Sequence, residues 1–266
     1  MWATRPCPGP RPAGARKAGT IRRMRTRICL LVGALAATVG AWAQAPQVVE
    51  IGQEPHHSLL LDNAKVRVFL EEVGPQKQTQ SYKEPHDFVE IALTDSNISI
   101  ERNGMHAPRQ LDRGDTHFIP GGGVRAVSNR ETVQTYRAVI VEVRGGMGRS
   151  VQVYDTESAS TYYYDTFKLP LEPGKDYTVT YDTPVLHAEK VQILAGAGIP
   201  SHSHGGDTLL VAVTDLELSH PAAGKPTPEV VRLNQGDVLW VAGGLAYPIT
   251  NTGSRPAQFV TLEFQP

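Results

Sequence analysis

Gly196-Ala197-Gly198-Ile199-Pro200-Ser201-His202-Ser203-His204-Gly205-Gly206-Asp207 is the stretch that decides the fold. Side chains alternate between the two faces of a β-strand, so His202 and His204, two positions apart, share one face. Two imidazoles converging on one face can seat a divalent ion. Gly205-Gly206 reads as a glycine bulge, which shifts the phase of a strand by one residue. After that shift Asp207, Leu209, Val211 and Val213 form one face, and Asp207 is expected in phase with the interior that the histidines line.

The chain carries an echo of this region upstream. Leu210-Val211-Ala212-Val213-Thr214-Asp215 repeats Glu90-Ile91-Ala92-Leu93-Thr94-Asp95. Downstream, Leu233, Gly236-Asp237, Gly243-Gly244 and Asn251 repeat Leu111, Gly114-Asp115, Gly121-Gly122 and Asn129, with offsets of 120 to 122 residues throughout. A constant offset over several anchors marks an internal duplication.

The spacing of Gly196, His202 and His204 resembles the first motif of the cupin superfamily, and the duplication resembles a bicupin. The resemblance implies an all-β fold of two tandem cupin jelly-roll barrels. It also implies a metal held by His202 and His204, with Asp207 standing earlier than the family's glutamate and Thr208 at the nearest later position. The family's second motif runs glycine, proline, glycine, histidine, asparagine; Gly236, Gly244 and Asn251 keep that spacing, Ala242 replaces the proline and Tyr247 the histidine. A neutral phenol is a poor metal ligand. In the first repeat Gly114, Pro120, Gly122 and Asn129 keep the spacing, but Arg125 stands in the histidine slot. Alignment through Asp87 and Asp207 turns the paired histidines into Tyr82 and Glu84. The first barrel is therefore expected to be metal-free, with Arg125 in the vacated slot paired to Glu84 and Tyr82 or Asp87 nearby, because a buried guanidinium needs a carboxylate to offset its desolvation. His86 and His117 fall outside the ligand register and read as surface or capping residues, and His57 receives no role.

Composition supports the same class. Short β-branched runs such as Val66-Arg67-Val68-Phe69 and Phe259-Val260-Thr261-Leu262 alternate with turn signals such as Asn103-Gly104 and Gly121-Gly122-Gly123. Residues 28–43 form an uncharged apolar run behind Arg22, Arg23, Arg25 and Arg27, ending in Ala41-Trp42-Ala43, the pattern of a secretory signal peptide. Translation starts at Met1 or Met24. Without residues 1–43 the chain keeps 18 Lys and Arg against 27 Asp and Glu, and loses both cysteines. That acidity disfavours nucleic-acid binding, and no span of a membrane is expected after signal removal. The expected organisation is a leader over 1–43, a first barrel over 44–145, a linker over 146–180 and a second barrel over 181–266. Trp240 would then be the one tryptophan left, a fluorescent reporter beside the second motif.

Two functional readings follow. In one, the protein is a secreted or periplasmic bicupin that binds a small molecule or a divalent metal in the second barrel, with Tyr247, Arg125 and Glu84 as ligand-binding residues. In the other, it is a metal-dependent enzyme of dioxygenase, isomerase or lyase type using His202, His204 and Asp207 with iron, manganese or zinc. The partners considered are a small molecule and a second copy in a homodimer.

Overall fold

Strand follows strand through the described part of the chain because β-branched runs alternate with glycine and asparagine turns. The computed structural model describes residues 47–146, 167–168, 175–182, 185–203, 205–221, 227–244 and 246–265. The leader reading, both cysteines and most of the linker lie outside these residues.

In the first repeat the strands are β1 (Val49–Glu50), β2 (His57–Asp62), β3 (Val66–Val73), β4 (Tyr82–Glu84), β5 (Asp87–Ala92), β6 (Ser96–Arg102), β7 (Met105–Leu111), β8 (Thr116–Ile119), β9 (Gly123–Asn129) and β10 (Tyr136–Val143). They form two five-stranded sheets, ordered β1-β4-β9-β6-β7 and β2-β3-β10-β5-β8. The second repeat contributes β11 (Phe167–Lys168), β12 (Lys175–Asp182), β13 (Leu186–Ile193), β14 (Gly198–Ser203), β15 (Asp207–Ala212), β16 (Leu216–His220), β17 (Glu229–Leu233), β18 (Val238–Val241), β19 (Ala246–Asn251) and β20 (Ala257–Phe264). Here the orders are β11-β12-β13-β20-β15-β18 and β14-β19-β16-β17. The β12 strand joins the second-repeat sheet, so that sheet takes in residues upstream of position 181.

The duplication is visible as a shared hydrogen-bond skeleton. Asn129 donates from Nδ2 to the carbonyls of Val73 and Gln134 and accepts from the Glu131 N–H. Asn251 does the same with Ile193, Arg255 and Gly253. Asp87 accepts from the Gly121 N–H at 2.8 Å, and Asp207 from the Gly243 N–H at 3.0 Å. Residues kept between the repeats are thus those that close turns, and Gly114 and Gly236 sit at positive φ of 81° and 92°, where a side chain would be strained.

Each repeat has an apolar interior cluster, one around Phe69, Phe88, Ile98, Tyr136 and Ile140 and one around Val191, Ile193, Leu210, Ala212 and Phe259. A third cluster lies between the barrels and draws on both: Val66, Val68, Val89, Ile91, Val139 and Val141 meet Leu186, Leu209, Val211, Val260, Leu262 and Phe264. The β5 and β10 strands, with β15 and β20, are therefore buried on both faces, which is why they read as continuous apolar runs rather than alternating ones. Gln235 ties the barrels further, donating to the Leu93 carbonyl at 2.8 Å and accepting from Arg137 at 2.7 Å.

Candidate functional site in the first barrel

This layering corrects the phase assigned to Asp207. Leu209, Val211 and Val213 face the other barrel, whereas Leu210 and Ala212 face the interior of their own. Asp207 follows the outer parity. Its carboxylate accepts from Gly243 and pairs with Lys65 at 3.1 Å, and these contacts hold its pKa below the ordinary aspartate value. Gly205-Gly206 does not rotate it inward; Gly206 is glycine because a Cβ there would strike the Phe264 carbonyl. The interior position goes to Thr208, buried with its Oγ1 unpartnered among the described residues. Backbone pairing sets His202 directly opposite Tyr247, as the repeat alignment requires, while the side chains of both, and His204 entirely, lie outside the described residues. Trp240 packs on Phe264 at 5.4 Å in the layer between the barrels, so it reports that layer rather than the second-barrel site.

The second-barrel metal set lies mostly outside the described residues, since the side chains of His202 and His204 do. Among the described residues no three His, Cys, Asp or Glu side chains lie close enough to share an ion. The one carboxylate assigned to the second-barrel set points away from that barrel's interior.

The first barrel presents a different chemistry. Tyr82 and Arg125 face each other across β4 and β9, the counterpart of His202 and Tyr247. Both are buried, as are Glu84, Glu71 and Glu90, which sit on the interior face of their strands. Arg125 Nη2 donates to Glu90 Oε1 at 2.8 Å, while Glu84 Oε1 stands 3.8 Å from Nη1. The slot is filled as the spacing predicts, but the close partner is Glu90. Glu84 instead accepts from Arg102 Nε at 2.8 Å, and Arg102 also donates to the Pro120 carbonyl. Asp87 accepts from the Gly121 N–H at the turn.

Charge coupling follows this geometry. Burial alone would raise the Glu90 pKa, but Arg125 and Arg109 outweigh it and hold Glu90 at about 2. Tyr136 donates to the same Glu90 oxygen at 2.5 Å. For Glu84 burial wins over Arg125 and Arg102, and its pKa is raised. His117, read as a surface residue, is half-buried; desolvation and then Arg109 lower it to about 4.

His57 is the residue that spacing alone missed. Its Nδ1 lies 2.8 Å from the Ile51 carbonyl, so that nitrogen carries a hydrogen and Nε2 is turned to Glu71 Oε1 at 3.5 Å. The ring stands edge-on to Tyr82 at 4.8 Å. Burial lowers its pKa, but Glu71, the Ile51 carbonyl and Glu54 together raise it. Glu71 could have been found from parity: Phe69, Glu71 and Val73 share a face in a strand whose apolar residues line the interior.

Several polar atoms of this cluster are buried without a hydrogen-bond partner: both Glu71 oxygens, His57 Nε2, Tyr82 OH, Glu84 Oε1, Glu90 Oε2 and Arg125 Nε and Nη1. Each such group costs roughly 1–3 kcal/mol if left unpaired, more when charged. Their convergence marks a place for an occupant that supplies the missing partners.

No family model matches the chain, and no curated protein matches it significantly. Solved structures do. AerE from Microcystis aeruginosa matches at TM-score 0.56 and 10% identity, covering 80% of this chain and 99% of that one. Vicilin from hazelnut, Corylus avellana, matches at TM-score 0.54 and 11% identity, covering 79% and 83%. Oxalate decarboxylase from Bacillus subtilis, described with Mn(II) centres, matches at TM-score 0.55 and 10% identity, covering 79% and 75%. At such identities the likeness speaks for the fold.

Proposed function

The fold is that of a bicupin, and on that premise we propose that the protein is a small-molecule-binding bicupin whose ligand site is the polar interior of the first barrel. The observation that carries this reading is the set of unspent hydrogen-bonding atoms on Tyr82, Arg125, Glu71 and Glu84, gathered at the position where the resemblance expects a metal. A purely structural ion-pair core would spend those atoms on one another. The leader pattern over residues 1–43 supports a periplasmic or secreted location for this binding protein.

A second reading keeps a divalent ion of the second barrel on His202 and His204. It is favoured by the backbone register of His202 with Tyr247 and by the manganese named for the Bacillus subtilis structure. Asp207 is held instead by the Gly243 N–H and Lys65, so the carboxylate that the spacing assigned to a two-histidine, one-carboxylate set is already engaged elsewhere.

Thermal denaturation against a panel of small acids, amines and polyols tests the first reading. At least one compound should raise the melting temperature of the wild type and leave the double variant Arg125→Met, Glu90→Leu unmoved. If every effective compound acts equally on both, or none acts, the first barrel is not the site.

A further inference from the structure

We propose that the first barrel takes a neutral polyhydroxylated molecule, a small polyol or monosaccharide, that accepts hydrogen bonds from Tyr82 and Arg125 and donates them to Glu71 and Glu84. This rests on the first barrel being the ligand site and narrows what that site can hold.

The first argument is the mixture of unspent groups. Tyr82 OH and Arg125 Nε and Nη1 are donors, whereas the Glu71 oxygens, Glu84 Oε1 and Glu90 Oε2 are acceptors. A carboxylate or phosphate ligand can only accept, so it would leave the protein carboxylates unpaired and add a like charge beside them. An ammonium group can only donate, and would leave Arg125 unpaired. A hydroxyl does both at one oxygen, and a carbon chain bearing several hydroxyls presents that pair repeatedly.

The second argument is charge. Around the cluster Glu71, Glu84 and Glu90 are matched by Arg102, Arg109 and Arg125: Glu84 pairs with Arg102, Glu90 lies 2.8 Å from Arg125 and 3.8 Å from Arg109, and Glu71 acts on Arg125 through space. The fixed charges are thus equal in number. Burial lowers the His57 pKa, but Glu71, the Ile51 carbonyl and Glu54 together raise it above its ordinary value. An interior already balanced gives a charged ligand nothing to offset the cost of leaving water, while a neutral ligand incurs little of that cost.

The third argument is position. The unspent atoms form one connected path rather than scattered defects. Glu71 touches His57, His57 stacks edge-on to Tyr82, Tyr82 faces Arg125 across the strands, and Arg125 lies between Glu84 and Glu90. Arg102, about a quarter exposed, spans from Glu84 to the Pro120 carbonyl and is the most open side chain of the set.

Isothermal titration calorimetry on the purified protein decides the class, with glycerol, myo-inositol and glucose as neutral probes, malate as the anion and putrescine as the cation. At least one neutral probe should bind with an affinity that is unchanged between low and high salt. Tyr82→Phe removes a hydroxyl that has no hydrogen-bond partner in the protein, so it should leave the melting temperature unchanged or raised and weaken that probe about tenfold. Glu71→Gln leaves the cluster with one excess positive charge and should shift preference toward malate. If malate or putrescine binds the wild type and loses affinity in Tyr82→Phe while the neutral probes do not bind, the site stands and the ligand class is wrong. If no probe binds, water alone satisfies the cluster, and both this inference and the ligand-site reading are overturned.

Discussion

Truncating Arg125 to alanine leaves the Glu90 carboxyl wholly buried and without its 2.8 Å partner. Breaking a buried pair from one side costs about 3–5 kcal/mol, so Arg125→Ala should lower stability by that much in urea denaturation. Arg125→Met combined with Glu90→Leu should recover most of it, because Leu210 already occupies the equivalent interior position in the second repeat. A double variant no more stable than the single one would show that the pair is not the unit. Acid sensitivity belongs to the same residues. The neutral His117 of the folded state, held at about 4, refuses the proton that the unfolded chain accepts near 6.5, so stability is full above pH 6.5 and falls as pH drops toward 4. Glu90, held at about 2 against an ordinary 4.5, extends the loss from pH 4.5 downward. Between pH 7 and 4 the His117→Phe variant should lose roughly 2 kcal/mol less than wild type; equal losses would remove His117 from the account. The slot of Arg125 was legible from motif spacing. Its partner was not, because Glu90 aligns with an apolar residue and sits in a run whose two faces are both buried, where alternation no longer marks inside from outside.

The turns between strands were the most legible elements, since the residues kept in both repeats are those that close them. Asn251 makes three hydrogen bonds to the backbone and is almost fully buried, and Asn129 matches it bond for bond. Replacing either with alanine strands two carbonyls and one N–H, a loss of about 3 kcal/mol. Aspartate keeps the acceptor but loses both donations, so Asn→Asp should be comparably damaging, which urea midpoints will show; an Asp variant as stable as wild type would mean the carbonyls find other donors. The strand after Gly205-Gly206 was misread for a physical reason. A bulge was expected to turn Asp207 inward, but β15 keeps regular pairing with β20 from Asp207 to Ala212, and Gly206 serves the close passage of the Phe264 backbone.

At the scale of the whole molecule, the two barrels share an apolar layer built from both repeats and the Gln235 bridge. Bicupin architecture was readable from the constant offset, yet this layer was not, because a single repeat's apolar pattern does not say which face meets a neighbour. Separating the repeats would expose Val66, Val68, Val89, Ile91, Val139 and Val141 to water, at roughly 1.5 kcal/mol or more for each side chain. Thermal unfolding should therefore be one cooperative transition, with Trp240 fluorescence and far-ultraviolet circular dichroism coinciding; two separated transitions would show independent barrels. The central claim, that the first barrel is a ligand site built around Arg125, is tested most directly by a high-resolution crystal structure of the protein as purified. Density of a bound organic molecule within hydrogen-bond distance of Tyr82 OH, Arg125 Nε and Glu71 is the predicted result. Direct hydrogen bonds among Glu71, Tyr82, Glu84 and Arg125, with no space or density between them, would contradict it.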